Sequence, residues 1–236
     1  MRVYGASDVG KVRAINQDAY YLPAENENFA AVADGMGGHL AGEVASATAV
    51  RILAETFWRT HEEDAALVLR EAFYEANSVL HEAGKAAEMA GMGTTMTAAA
   101  ARGDTLHIAH VGDSRAYIIN KQGIRQLTTD HSLVAELVEQ GKLTPEEARN
   151  HPQRHIIRRS LGQEAFIKVD EITTTWHKGD YLLMCTDGLY AMVDDIDLQE
   201  LVLRSANIEL AARFMAEIAF NRGGYDNISL ILAAHD

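Results

Sequence analysis

The chain has 236 residues, and its 34 acidic side chains outnumber 21 Lys and Arg, leaving a formal net charge of −13 at pH 7. At about 150 residues per domain this length fits one large domain, and 47% apolar with 23% charged residues is too apolar for disorder. The acidic balance argues against a nucleic-acid backbone binder, no apolar run approaches the roughly 18 residues of a membrane span, and no secretory h-region follows Met1, so the expectation is a cytoplasmic monomer without membrane insertion.

In chain order, residues 2–7, 18–22 and 28–33 read as short strands. Phe29-Ala30-Ala31-Val32-Ala33 is a near-continuous apolar run, the pattern of a strand buried on both faces. Helices are predicted over 41–60 and 62–84; in the second, Leu69, Phe73, Ala76 and Leu80 form one apolar stripe. Segments 93–101, 105–111, 115–119 and 123–127 read as strands joined by turns so short that successive strands are expected to pair antiparallel. A helix over 132–140 follows. A shorter one is signalled by Thr144-Pro145-Glu146-Glu147, with Thr as N-cap, Pro in the first turn and Glu three residues after the cap. Residues 150–163 lack periodicity and read as a loop. Strands return at 166–174 and 180–186, helices at 196–204 and 208–220, and a last strand at 228–234. Helix pairs between blocks of strands form an α+β pattern, which two packed antiparallel sheets with helices outside would satisfy. The single cysteine, Cys185, reads as a buried strand residue and excludes both an internal disulfide and a Cys-rich zinc site.

Four apolar strands begin or end at an aspartate. Phe29–Ala33 runs into Asp34-Gly35, Leu106–Val111 into Gly112-Asp113, and Tyr181–Cys185 into Thr186-Asp187-Gly188, while Asp226-Asn227 opens Ile228–Leu232. Asp and Gly are common wherever a strand ends in a turn, so each site alone says little. Were the four carboxylates to converge, two unit charges about 4 Å apart would cost about 4 kcal/mol at an effective dielectric of about 20. Protons or cations would then have to neutralise the cluster. Oxygen-only ligands select hard ions, Mg²⁺, Mn²⁺ or Ca²⁺, and no loop fits the EF-hand calcium pattern.

Six fragments stand in a recognisable order: Arg13-Ala14-Ile15-Asn16-Gln17-Asp18, Val32-Ala33-Asp34-Gly35-Met36-Gly37-Gly38, Gly93-Thr94-Thr95, Val111-Gly112-Asp113-Ser114-Arg115-Ala116-Tyr117, Thr186-Asp187-Gly188-Leu189 and Asp226-Asn227. Together they resemble the motifs of the metal-dependent protein serine/threonine phosphatases (the PPM or type 2C family) in their short bacterial form, over essentially the whole chain. The resemblance implies a central β-sandwich of two antiparallel sheets flanked by helices, a four-layer αββα arrangement in a single domain 1–236. It also implies hydrolysis of phosphoserine and phosphothreonine in proteins at a centre of two Mn²⁺ or Mg²⁺ ions, with room for a third.

Carried over by motif, Asp34 would bridge two metals and the Gly35 carbonyl would ligate one, with Asp187 and Asp226 completing the other. Asp113 would hold the additional ion with Asp187, Asp18 would hold metal-bound water, and Arg13 would hold the substrate phosphate. Two divalent ions can share a hydroxide that attacks phosphorus directly, while metals and guanidinium stabilise the phosphoryl charge. Two departures stand out. Met36 occupies the place where animal relatives carry a histidine as general acid, leaving His39 or a metal-bound water as the candidates for that role, and Gln17 stands where many relatives have Glu. A catalytically silent phosphoprotein-binding or scaffold domain on the same fold is the alternative; the presence of all four core aspartates and Arg13 favours activity.

Arg149, Arg154, Arg158 and Arg159, with His151 and His155, make a positive island on an acidic protein. It lies in a flap expected over about 131–163, in which Arg154 and His155 are the candidate substrate-binding residues. The expected partners are proteins phosphorylated by a serine/threonine kinase.

Overall fold

The computed structural model describes residues 1–24, 27–37, 41–60 and 64–235. One sheet is built, in spatial order, from β1 (Arg2–Asp8), β11 (Ile228–Ala234), β10 (Tyr181–Cys185), β7 (Arg115–Asn120) and β8 (Gly123–Gln126). The other runs β2 (Asp18–Tyr21), β3 (Phe29–Met36), β5 (Met96–Arg102), β6 (Thr105–Val111) and β9 (Asp170–Thr175), with the two-residue β4 (Gly93–Thr94) paired to the end of β3. Neighbouring strands are antiparallel throughout.

Three apolar layers hold the sandwich. Between the sheets lie Ala30, Val32, Ile108, Ile118, Leu182, Met184, Ile231 and Trp176. Phe29 and Ala31 instead face α1 (Ala41–Arg59) and α2 (Ala65–Ala83), whose buried stripe includes the predicted Leu69, Phe73, Ala76 and Leu80. The continuous apolar run of β3 is thus one strand covered on both faces. On the opposite side α5 (Asp187–Tyr190), α6 (Asp195–Arg204) and α7 (Ile208–Asn221) cover β11 and β10 through Leu183, Leu230, Leu232 and Met215. The result is the expected αββα sandwich. Between β8 and β9 the chain forms α3 (Leu133–Glu139) and α4 (Pro145–Arg149), the latter opened by the predicted capping box, Thr144 and Glu147 each accepting the other's backbone N–H. Cys185 is fully buried in β10.

Several expectations fail in instructive ways. The strands at 105–111 and 115–119 do not pair: Gly112, at φ +114°, turns the chain out of one sheet and into the other. Short connections enforce antiparallel pairing only when both strands stay in one sheet. The expected strand 93–101 is broken at Thr95, and β3 runs on through Asp34 to Met36. The strand expected at 166–174 begins only at Asp170, because its partner β6 leaves the sheet after Val111, and Phe166 is 91% exposed. The single turn of α5 is too short to leave a periodic signal.

Candidate active site

Register brings the acidic strand ends to one end of the sandwich. Asp18 faces Asp34 across β2 and β3, Val32 faces Thr97, and Val111 faces Met96, so Asp18, Asp34 and the Gly112-Asp113 turn share one end of the second sheet. In the first sheet Cys185 faces both Leu230 and Arg115, which places Thr186-Asp187, Asp226-Asn227 and the start of β7 at a common end. The crossing at Gly112–Ser114 joins these two ends. A side-chain bond spans them as well: the Thr186 hydroxyl donates to Asp18 Oδ2 at 2.9 Å.

Small polar residues fix the aspartates from behind. The Asp34 N–H donates to Thr95 Oγ1, and its carbonyl accepts from the Thr95 N–H and the Thr94 hydroxyl, each at 2.9 Å. Thr95 also bonds Ser114 at 2.8 Å and packs on Gly112, where a Cβ would overlap it. One threonine pair therefore ties Asp34 to the turn that carries Asp113. Gly188 lies so close to the Asn227 carbonyl that no Cβ fits, which locks the Asp187 and Asp226 segments together. Asn227 in turn gathers the N-terminal loop: its amide donates to the carbonyls of Val9 (2.9 Å) and Ile15 (3.0 Å), and its oxygen accepts from the Gln17 N–H at 2.8 Å. That loop presents Arg13, whose guanidinium donates to Asp226 Oδ2 at 2.7 Å.

The electrostatics are those of a buried acidic pocket only partly compensated by Arg13. Burial, reinforced by the neighbouring carboxylates, pushes Asp187 up to about 6, Asp18 to about 7 and Asp113 to about 8, and raises Asp34 well above the ordinary carboxylate range. Asp34 is repelled by Asp18, Asp187, Asp113 and Asp226 together, so these groups act on one another as a single cluster. Asp18 Oδ1 and Asp187 Oδ1 are buried without any hydrogen-bond partner. Buried polar atoms are satisfied almost everywhere in proteins, so two orphaned carboxylate oxygens in one acidic pocket fit a cation. Among the described residues no three acidic, His or Cys side chains close tightly around one point.

Of the residues singled out in the sequence, Asp18, Asp34, Gly35, Asp113, Asp187, Asp226 and Arg13 lie at this end of the sandwich. His39 lies outside the described residues. The flap residue His155 is exposed but close enough to feel both Arg13 and Asp226, and partial burial lowers its pKa. The positive island is smaller than expected. Arg149 pairs with Asp194, Arg158 with Glu136 and Arg159 with Asp170, which leaves Arg154 as the flap arginine with no ion pair among the described residues.

Sequence reasoning gave no role to Thr94, Thr95, Thr186, Asn227 or His131. The first four sat inside the quoted motifs, and for Thr186 and Asn227 adjacency to an aspartate was the available signal. His131 is buried; its Nδ1 accepts the Gly112 N–H at 3.0 Å, its Nε2 faces Asp170, and burial lowers its pKa. Its neighbour His110, 4.7 Å away ring to ring, donates from Nε2 to the Thr129 carbonyl and accepts the Thr97 hydroxyl at Nδ1; burial pushes it down to about 4.

The family profile described as Protein phosphatase 2C matches residues 10–220. The serine/threonine phosphatase stp of Listeria monocytogenes is 37% identical over 237 residues, covering 98% of this chain and 94% of its own. The crystal structure of the Mycobacterium tuberculosis serine/threonine phosphatase PstP/Ppp superposes with a TM-score of 0.91 at 37% identity, over 100% of this chain and 98% of that one. A structure of the PstP catalytic domain in complex with two manganese ions superposes with a TM-score of 0.88 at 35% identity, over 99% and 97% of the two chains. With its αββα sandwich and buried acidic end, the chain belongs to the protein phosphatase 2C family of metal-dependent serine/threonine phosphatases.

Proposed function

We propose that this chain hydrolyses phosphoserine and phosphothreonine in proteins through the carboxylate cluster and Arg13. In this reading Asp34, the Gly35 carbonyl, Asp187 and Asp226 hold two Mn²⁺ or Mg²⁺ ions, Asp113 shares a third with Asp187, and Asp18 accepts from water held among them. When bound, divalent ions supply Lewis acidity toward the phosphoryl oxygens and activation of water at neutral pH.

The chain's own contribution is placement. Asp34 is gripped through its backbone by Thr94 and Thr95, so its carboxylate is aimed by a strand and not by a loop. Arg13 is about half exposed while paired to Asp226. A cation on Asp226 would compete for that carboxylate and release the guanidinium fork, which matches a phosphoryl group's oxygens. His155, beside Arg13 and Asp226, lines the approach for the substrate chain. The substrates would be products of a serine/threonine kinase, the reaction class that makes such esters.

The observation that carries this reading is the pair of orphaned, buried oxygens on Asp18 and Asp187 inside a mutually repelling acidic cluster. The test is hydrolysis of an aryl phosphate and of a phosphothreonine peptide with and without Mn²⁺. Turnover should require the ion, disappear reversibly in chelator and be abolished in Asp34→Asn. Activity that persists in chelator would contradict the reading, and Mn²⁺ binding without any turnover would identify a silent phosphoprotein-binding module instead.

A further inference from the structure

A continuous chain of hydrogen bonds runs from the flap to the Asp113 turn. At one end Arg159 Nη1 donates to Asp170 Oδ1 at 2.8 Å. Asp170 Oδ2 lies 3.1 Å from His131 Nε2, and at the other side of the ring Nδ1 accepts the Gly112 N–H at 3.0 Å. An acceptor at Nδ1 fixes the tautomer, so Nε2 carries the proton and donates to Asp170. Arg159 Nη1 also lies 2.8 Å from Nε2; both are donors, so they share Asp170 and do not bond each other. The backbone doubles the link: the His131 N–H donates to the Gly112 carbonyl at 2.7 Å, and the Arg158 N–H donates to the His131 carbonyl at 2.8 Å.

His131 thus grips both polar groups of Gly112, the residue whose φ of +114° sends the chain across the sandwich immediately before Asp113. Thr95 blocks the other side of Gly112. The turn is held between a threonine tied to Asp34 and a histidine tied to the flap. Neither contact touches a carboxylate of the cluster, so neither could be found by looking for ligands alone.

We infer that His131 is a positioning residue, coupling the flap residue Arg159 through Asp170 and Gly112 to the aim of Asp113 and so setting the affinity of the Asp113 site for a divalent ion. This rests on the reading of Asp113 as a metal ligand. Groups that orient ligands from behind typically cost about 10- to 100-fold in metal affinity when removed. The relay also makes the flap and the third ion thermodynamically linked, because whatever displaces Arg159 loosens Asp170 and the imidazole behind it.

The test is a calorimetric Mn²⁺ titration of the full chain, comparing the parent with Asp113→Asn, His131→Leu, His131→Asn and Asp170→Ala. Asp113→Asn identifies which binding event belongs to Asp113. His131→Leu should weaken that event about 10-fold or more and leave the tighter events unchanged. His131→Asn, whose side-chain oxygen can still accept the Gly112 N–H, should recover most of the loss. Asp170→Ala should shift the same event in the same direction by a smaller factor. A merely structural histidine would weaken every event together and would not be rescued by Asn; either pattern overturns the relay. Where His131→Leu does not fold, Asp170→Ala decides, and parent-like binding there overturns it. Asp113→Asn with every event unchanged sinks the metal assignment and the relay with it, whereas loss in Asp113→Asn with parent-like binding in His131→Leu sinks the relay alone.

Discussion

Asn227 shows how much of the active end depends on residues that touch no substrate. Its three hydrogen bonds satisfy the Gln17 N–H and the carbonyls of Val9 and Ile15, and its own N–H donates to Asp226 Oδ1 at 2.8 Å. The segment it holds carries Arg13. Asn227→Ala leaves these groups unpaired, at a cost of about 1–3 kcal/mol, or roughly 2–12 °C in Tm for a domain of this size. The loop would also present Arg13 less well, so KM for phosphopeptide should rise more than kcat falls. Thermal melts and steady-state kinetics on one preparation check both, and a variant that melts and turns over like the parent contradicts the role. The four core aspartates were legible in the sequence because each ends or opens an apolar strand. Asn227 was legible only as a neighbour, since an amide that bonds backbone carbonyls far away in sequence leaves no spacing to read.

At the scale of elements, the strands and long helices announce themselves by periodicity, and the connections do not. The stripe on α2 and the double-sided burial of β3 follow directly from the order of apolar residues. The turn at Gly112 was expected to close a hairpin, because Gly-Asp-Ser reads as a tight turn. It crosses between sheets instead, and nothing local separates a hairpin from a crossing; the decision is made by which apolar face each strand buries. The flap shows the same limit. Four arginines read as one positive island, yet Arg149, Arg158 and Arg159 are spent on carboxylates at distances of 3.3, 3.4 and 2.8 Å. Arg154, without such a partner among the described residues, is the one free to meet a phosphorylated chain. Arg154→Ala should therefore lower kcat/KM for a phosphopeptide about 10-fold, the scale of one charge-assisted contact, and leave turnover of a small aryl phosphate near the parent value. Equal losses on the two substrates would remove Arg154 from substrate recognition.

For the whole molecule, the acidic cluster makes stability depend on pH in an unusual direction. Most native carboxylates titrate below their unfolded values and stabilise a protein as pH rises. Here Asp187, Asp18 and Asp113 are raised to about 6, 7 and 8, mainly by burial, and Asp34 is raised with them. Between about pH 4 and pH 8 these four groups hold more protons in the folded metal-free chain than in the unfolded one and lower its stability as pH rises. His110 and His131, which burial holds below the ordinary imidazole value, act in the opposite sense up to about pH 6.5 but are outnumbered, so stability should fall from pH 5 to pH 8. Mn²⁺ binds the deprotonated carboxylates and should reverse the trend, its stabilisation growing with pH. Melting curves at pH 5 and pH 8, with chelator and with Mn²⁺, read the effect; a metal-free Tm that rises from pH 5 to pH 8 would contradict it.

The claim beneath all of this is that the sandwich end is an acidic pocket completed by divalent ions. Diffraction from crystals soaked in Mn²⁺, recorded at the manganese absorption edge, tests it most directly. Anomalous peaks should lie about 2.0–2.3 Å from carboxylate oxygens of Asp34, Asp187 and Asp226, with the formerly orphaned oxygens of Asp18 and Asp187 now bonded to an ion or its water. Well-diffracting crystals with saturating Mn²⁺ and no anomalous density among these aspartates, or density only at surface carboxylates, would contradict the account.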